Sequence, residues 1–217
     1  MSRLVYRPCV YEFLFLTERS NLEKVILDCG AGGSTPPLGL FAEFGYRCHG
    51  IDISEDAVRQ ANEFALKQNL DIDMRLGDMR NIPFDDATFS FAYTQNSLSH
   101  LSKKDTKIAI DEMKRVLRPE GLLFVDFMSI DCSYCNEEVM GKLVGDYEFL
   151  GIHGGEEVLH SFFRNDEPNV YFTDMELIQK KKIESQNHRI SGTSVDVLLW
   201  YYLKKSNPRV QKSINTP

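Results

Sequence analysis

The stretch Asp28-Cys29-Gly30-Ala31-Gly32-Gly33 places an acid directly before a group of three glycines. Glycine allows left-handed backbone, and it lets a ligand approach the chain where a Cβ would stand in the way. Upstream, Val25-Ile26-Leu27 is a short, partly β-branched apolar run, as in a buried parallel strand. Downstream, Pro36 and Pro37 suit the first turn of a helix, and Leu38, Leu40, Phe41 and Phe44 give that helix an apolar face. Strand, glycine turn and helix together aim backbone N–H groups at a ligand. A second acid, Asp52, follows 24 positions after Asp28, at the tip of the run Tyr46 to Ser54 that reads as the next strand. A carboxylate there can accept hydrogen bonds from both hydroxyls of a ribose.

Two ligand classes fit such a cradle. A dinucleotide site asks for a third glycine, where Thr35 stands, and Asp28 would repel a pyrophosphate. A cationic ligand reverses the sign, and S-adenosylmethionine carries a sulfonium and an ammonium. At Asp28-Cys29-Gly30-Ala31-Gly32 the chain resembles the class I S-adenosylmethionine-dependent methyltransferases, whose first motif is an acid, any residue, Gly, any residue, Gly. The resemblance continues in Gly77-Asp78-Met79, in Arg80 to Phe89 leading into the next strand, and in Arg115-Val116-Leu117-Arg118-Pro119-Glu120-Gly121-Leu122-Leu123. It covers about residues 22–127 closely and 170–203 loosely.

The resemblance implies a set of cofactor residues. Asp28, Gly30, Ala31 and Gly32 form the turn, and Asp52 with Ile53 holds the ribose. Asp78 accepts from the adenine amino group, and the Met79 backbone N–H meets a ring nitrogen. Thr94 or Gln95 offers a backbone oxygen to the ammonium. An N-terminal helix covers the cofactor, with Tyr11 near its carboxylate. The product would be S-adenosylhomocysteine.

The elements that must position these residues follow from the pattern. Ser54 caps a helix over 54–68, with Glu55 and Asp56 at its positive end. Strands are expected over 71–76, 89–94 and 122–127, with a helix over 105–117 between the last two. Residues 128–169 read as an insertion with strands over 147–152 and 158–164. A short helix over 175–181 precedes a closing hairpin, 182–189 and 195–203. The resulting expectation is an α/β, three-layer, Rossmann-like methyltransferase sandwich. Its sheet is mostly parallel with an antiparallel last strand, plus a small β insertion after strand five. One domain spans 1–205, with a helical lid over 1–21 and a tail over 206–217.

The residues that would act on an acceptor are less sharply marked. Asn96 and Ser97 follow strand four, at the edge where open parallel sheets bind ligands. Tyr134 and Arg164 are polar candidates within the insertion. His160, His153 and His100 are candidate bases, because a His titrates near neutral pH. In Leu98-Ser99-His100-Leu101 the resemblance favours a structural role for His100. Cys132 and Cys135 lack a second Cys-x-x-Cys, so a zinc site is not expected.

A net charge of −7 argues against a nucleic-acid binder with a broad basic face. No run of about 18 apolar residues marks a membrane span. Five Cys without disulfide density point to a cytoplasmic protein with reduced thiols. The expected function is methyl transfer to a small-molecule acceptor by a monomer or homodimer. A methyltransferase-like scaffold without turnover is the alternative, ahead of a protein or RNA methyltransferase and a nicotinamide-dependent oxidoreductase.

Overall fold

A computed structural model describes residues 6–153, 155–189 and 192–207. The chain opens with α1 (Pro8–Glu18), β1 (Val25–Cys29), α2 (Leu38–Glu43), β2 (Arg47–Asp52), α3 (Glu55–Gln68), β3 (Ile72–Leu76) and β4 (Phe89–Thr94). It continues with α4 (Lys103–Val116), β5 (Leu117–Ser129), α5 (Glu137–Met140), β6 (Lys142–Gly145), β7 (Glu148–His153) and β8 (Glu156–Phe163). A long hairpin, β9 (Met175–Arg189) and β10 (Gly192–Lys205), closes the described chain.

The sheet runs β3-β2-β1-β4-β5, all parallel, with β10 antiparallel on β5 and β9 outermost on β10. Helices cover both faces, because strands apolar on both sides must be buried on both sides. On one face α1, α2 and α3 pack Phe13, Phe41 and Ala61 against Ile26, Tyr93 and Phe124. On the other, α4 packs Ile110 and Met113 against Leu27, Phe89 and Val125. The helix starts follow their caps: Ser54 accepts from the Ala57 N–H at 3.2 Å and Ser102 from the Asp105 N–H at 3.0 Å. No described helix is long and apolar enough to cross a membrane.

Two features depart from the sequence reading. Residues 175–181, expected as a helix, are the first half of β9. Residues 192–205 of β10 offer an antiparallel ladder to 175–189, broken only by a bulge at Ile178, and that pairing overrides a short helical pattern. The insertion holds a third strand, β6, and its last strand returns to the main sheet. Phe162 and Phe163 of β8 pair in parallel with Met128 and Ser129 of β5. They do so just beyond the point where β4 ends, opposite Val125. β8 therefore overhangs the carboxyl end of β4, and the antiparallel β6-β7-β8 sheet roofs the edge at which parallel sheets bind ligands.

Candidate functional site

The first and second βα turns are laced together. Gly30 has φ +83°, and a Cβ there would lie 2.2 Å from Ser97 Oγ, so the turn demands glycine. The Gly30 and Ala31 N–H groups donate to the Ile51 carbonyl at 2.8 and 3.0 Å. The Gly32 N–H donates to Asp52 Oδ2 at 2.8 Å, and the Ser54 N–H to Asp52 Oδ1 at 2.9 Å. Asp52 thus fixes both turns while keeping acceptor capacity on each oxygen.

Above this turn lies a cleft of about 380 Å³ lined by Gly30, Asp52, Ile53, Asp78, Met79 and Ser97. Arg80, which is not among the expected site residues, also lines it. Its guanidinium holds the Asp78 carboxylate at 2.7 and 3.0 Å and reaches Asp105 at 3.4 Å. That pairing keeps the Asp78 carboxyl below the usual carboxylate range. Ala31, Gly32, Thr94 and Gln95 are not part of its lining. Ala31 and Thr94 are buried, and the Gln95 amide donates to Cys9 Sγ at 3.5 Å.

Asp28 and Asp126 are each only 2 % exposed. Strand register aligns Asp28 with Tyr93, and Tyr93 with Phe124, so Asp126 lies two residues further along the same face. Asp28 Oδ1, Asp126 Oδ2 and the Tyr93 hydroxyl have no hydrogen-bond partner among the described residues. Burial pushes the Asp28 carboxyl up to about 8 against the opposing pull of Tyr93, with the charges of Asp52 and Asp126 adding to the rise. Burial likewise raises Asp126 to about 7, although the Asn96 N–H donates to its Oδ1 at 2.7 Å. Asp126 was open to sequence reasoning: a charged residue inside the apolar run Leu122 to Phe127 is itself a signal.

These acids make ligand-free stability depend on pH. The Asp28 carboxyl titrates at about 8 in the folded chain and near 3.8 when unfolded. Below that lower value both states are protonated. Between the two values only the unfolded chain ionises, so the native state loses stability as pH rises, and above about 8 the loss levels off. Asp28→Asn is expected to flatten this slope. In urea denaturation the variant should gain on the wild type between about pH 5 and pH 8. Identical pH slopes in the two proteins would contradict the assignment.

A second pocket of about 550 Å³ adjoins the cleft beneath the roof, lined by Arg7, Asn96, Met128, Tyr134 and His160 among others. His100 lines both cavities. Its ring meets the His160 ring edge-on, centroids 5.2 Å apart, and its Nδ1 lies 3.4 Å from the Leu159 carbonyl oxygen. A carbonyl only accepts, so Nδ1 carries the proton in neutral imidazole and Nε2 is the basic nitrogen.

Three expected residues lie elsewhere. Ser97 faces the first cleft, with its hydroxyl on the Gln95 carbonyl at 3.1 Å, because the Gly30 turn leaves room for it there. Arg164 is tied to Asp146 at 2.6 and 2.9 Å and lies over the Tyr147 ring, outside both cavities. Tyr11 opens onto a separate depression with Phe15 and Lys181, because α1 turns its Phe13 face to the sheet. His153 ends β7 opposite Glu156; its side chain lies outside the described residues. Among the described residues no cluster of His, Cys, Asp and Glu is arranged to hold a metal, and all five cysteines are free thiols.

Comparison with known proteins bears on the fold. Residues 27–125 match the family model described as methyltransferase domain. The O-methyltransferase resE of Aspergillus sclerotiorum is 26% identical over 141 residues, 64% of this chain and 53% of that protein. The chain spans about half the length of the curated relatives it matches, or less, with 41% and 39% for two others. A SAM-dependent methyltransferase of Methanosarcina mazei superposes with a TM-score of 0.72 at 21% identity, covering 94% of this chain and 99% of that one. The 1,6-didemethyltoxoflavin-N1-methyltransferase of Burkholderia thailandensis was solved with 1,6-didemethyltoxoflavin and S-adenosylhomocysteine bound. It superposes with a TM-score of 0.64 at 15% identity, over 93% of this chain and 78% of that one.

Proposed function

We propose that the chain, whose residues 27–125 match a methyltransferase-domain model and whose fold is that of S-adenosylmethionine-dependent methyltransferases, transfers a methyl group from S-adenosylmethionine to a small-molecule acceptor. One observation carries the reading: a cleft edged by Gly30 and Asp52 adjoins a second pocket, and His100 lines both. A scaffold without turnover would have no use for an acceptor pocket that shares a wall with the cofactor cleft. A nicotinamide-dependent oxidoreductase is opposed by Thr35 in the third-glycine place and by the buried acid Asp28.

The residues suit the cofactor. The Gly30 turn excludes a Cβ, Asp52 has acceptor capacity for a ribose diol, and the buried Asp28 Oδ1, without a hydrogen-bond partner among the described residues, suits a cation. Asp78, Met79 and Ile53 would hold the adenosine end, and Asp28 with the Thr94 and Gln95 backbone the amino-acid end. When bound, the cofactor supplies an electrophilic methyl group on a sulfonium. The chain then aligns the acceptor with that methyl group. β6, β7 and β8 exclude water, and His100 Nε2 takes the proton from an acceptor hydroxyl or protonated amine. Five free thiols fit a cytoplasmic setting.

Calorimetric titration tests the premise. Saturable binding of S-adenosylmethionine and S-adenosylhomocysteine, with none of NADH, is expected. Folded protein that binds neither sulfur ligand overturns the proposal.

A further inference from the structure

The second pocket has a charge pattern that points to a class of acceptor. Met128, Met140 and Leu198 make part of its wall apolar, and one end carries Arg7. Of the other arginines whose side chains are described, all have a carboxylate within ion-pair range except Arg19, which lies over the Phe15 ring. Among the described residues Arg7 has only the neutral Asn96 Oδ1, at 3.1 Å. Asn96 is itself held in a left-handed conformation, φ +57°, with its N–H on Asp126. So Asp126 positions Asn96, and Asn96 positions the guanidinium.

The other charges nearby do not neutralise Arg7. Asp126 feels its field but pairs through Oδ1 with the Asn96 N–H rather than with the guanidinium, and burial raises its carboxyl to about 7, which weakens its charge near neutral pH. Asp196, a carboxylate lining the same pocket, engages the Tyr134 hydroxyl. Arg7 is also the N-cap of α1, whose first turn holds no acidic residue and whose start has no side-chain cap. The positive end of that helix therefore adds to the guanidinium at the same corner. A planar, always charged fork with no protein carboxylate matches a ligand carboxylate.

We propose that this pocket selects a methyl acceptor carrying a carboxylate on an apolar body, with Arg7 binding the carboxylate. The inference rests on reading this cavity as the acceptor pocket. The cofactor has a carboxylate too, but Arg7 lines the pocket of Met128 and Leu198, not the cleft of Asp52 and Met79.

The test is calorimetry on the full chain, with and without saturating S-adenosylhomocysteine. The probes are benzoate, phenylacetate, 3-phenylpropionate and 4-phenylbutyrate, each against its carboxamide. At least one acid is expected to bind at least about 10-fold more tightly than its amide, the scale of one partly exposed charge-assisted pair. That preference should vanish in Arg7→Gln and survive in part in Arg7→Lys, while S-adenosylhomocysteine affinity stays within about 2-fold. Acids that bind no better than amides, or a preference that Arg7→Gln keeps, overturn the proposal. Arg7→Gln weakening only S-adenosylhomocysteine assigns the guanidinium to the cofactor and overturns it equally. Wild-type protein that binds no S-adenosylmethionine defeats the proposed function instead, and the titrations without cofactor still read the Arg7 site.

Discussion

Asp52→Ala is expected to weaken S-adenosylmethionine binding about 100-fold. Two hydroxyl-to-carboxylate hydrogen bonds, at about 1.5 kcal/mol or more each, account for roughly 3 kcal/mol. The substitution also removes the acceptor that ties the Gly32 and Ser54 N–H groups together, so the turn loses its anchor as well. Asp52→Asn separates the two effects. Its amide oxygen can still take one backbone N–H, but the carboxylate charge is gone, so it should lose affinity with less disturbance of the turn. Calorimetry beside a thermal unfolding curve reads both. An Asp52→Ala protein that melts as the wild type does and binds the cofactor normally would falsify the ribose assignment.

What the sequence reveals of this site is what lies close together in the chain. The acid-glycine turn is legible because a strand, a left-handed glycine and a helix start are all local, and Gly30 shows why the glycine is needed. Asp52 is legible because parallel β1 and β2 end side by side, with Cys29 opposite Ile51. Residues 175–181 mislead because their state is set by a partner strand, β10, that local propensity does not see. Tyr11 misleads for a related reason: α1 buries Phe13 in the core and turns Tyr11 outward. Arg7 looks like an interruption of an apolar run and meets Asn96 only across 89 residues. The meeting of His100 with His160 needs β8 to join β5, a pairing that no periodicity announces.

That meeting decides the second large expectation. His100→Gln is expected to lower kcat about 100- to 10,000-fold on an acceptor that must lose a proton, the range for a general base, with S-adenosylmethionine affinity little changed. The acid limb of the pH–rate profile should disappear with the imidazole. The resemblance favours a structural His100, and a structural residue predicts something else: a lower melting temperature, weaker binding and an unaltered pH profile. Geometry favours the base, because His100 is exposed, lines both cavities and bonds only through Nδ1 to a carbonyl. His160 is the control. Its ring abuts His100 edge-on and is 9 % exposed, so His160→Phe keeps the ring contact and removes the nitrogens. A loss within about 5-fold is expected there, as for a residue that orients a base without touching the substrate. Should His160→Phe abolish turnover and the pH limb while His100→Gln keeps both, the roles are exchanged, and the proton leaves through the insertion rather than through the wall between the pockets.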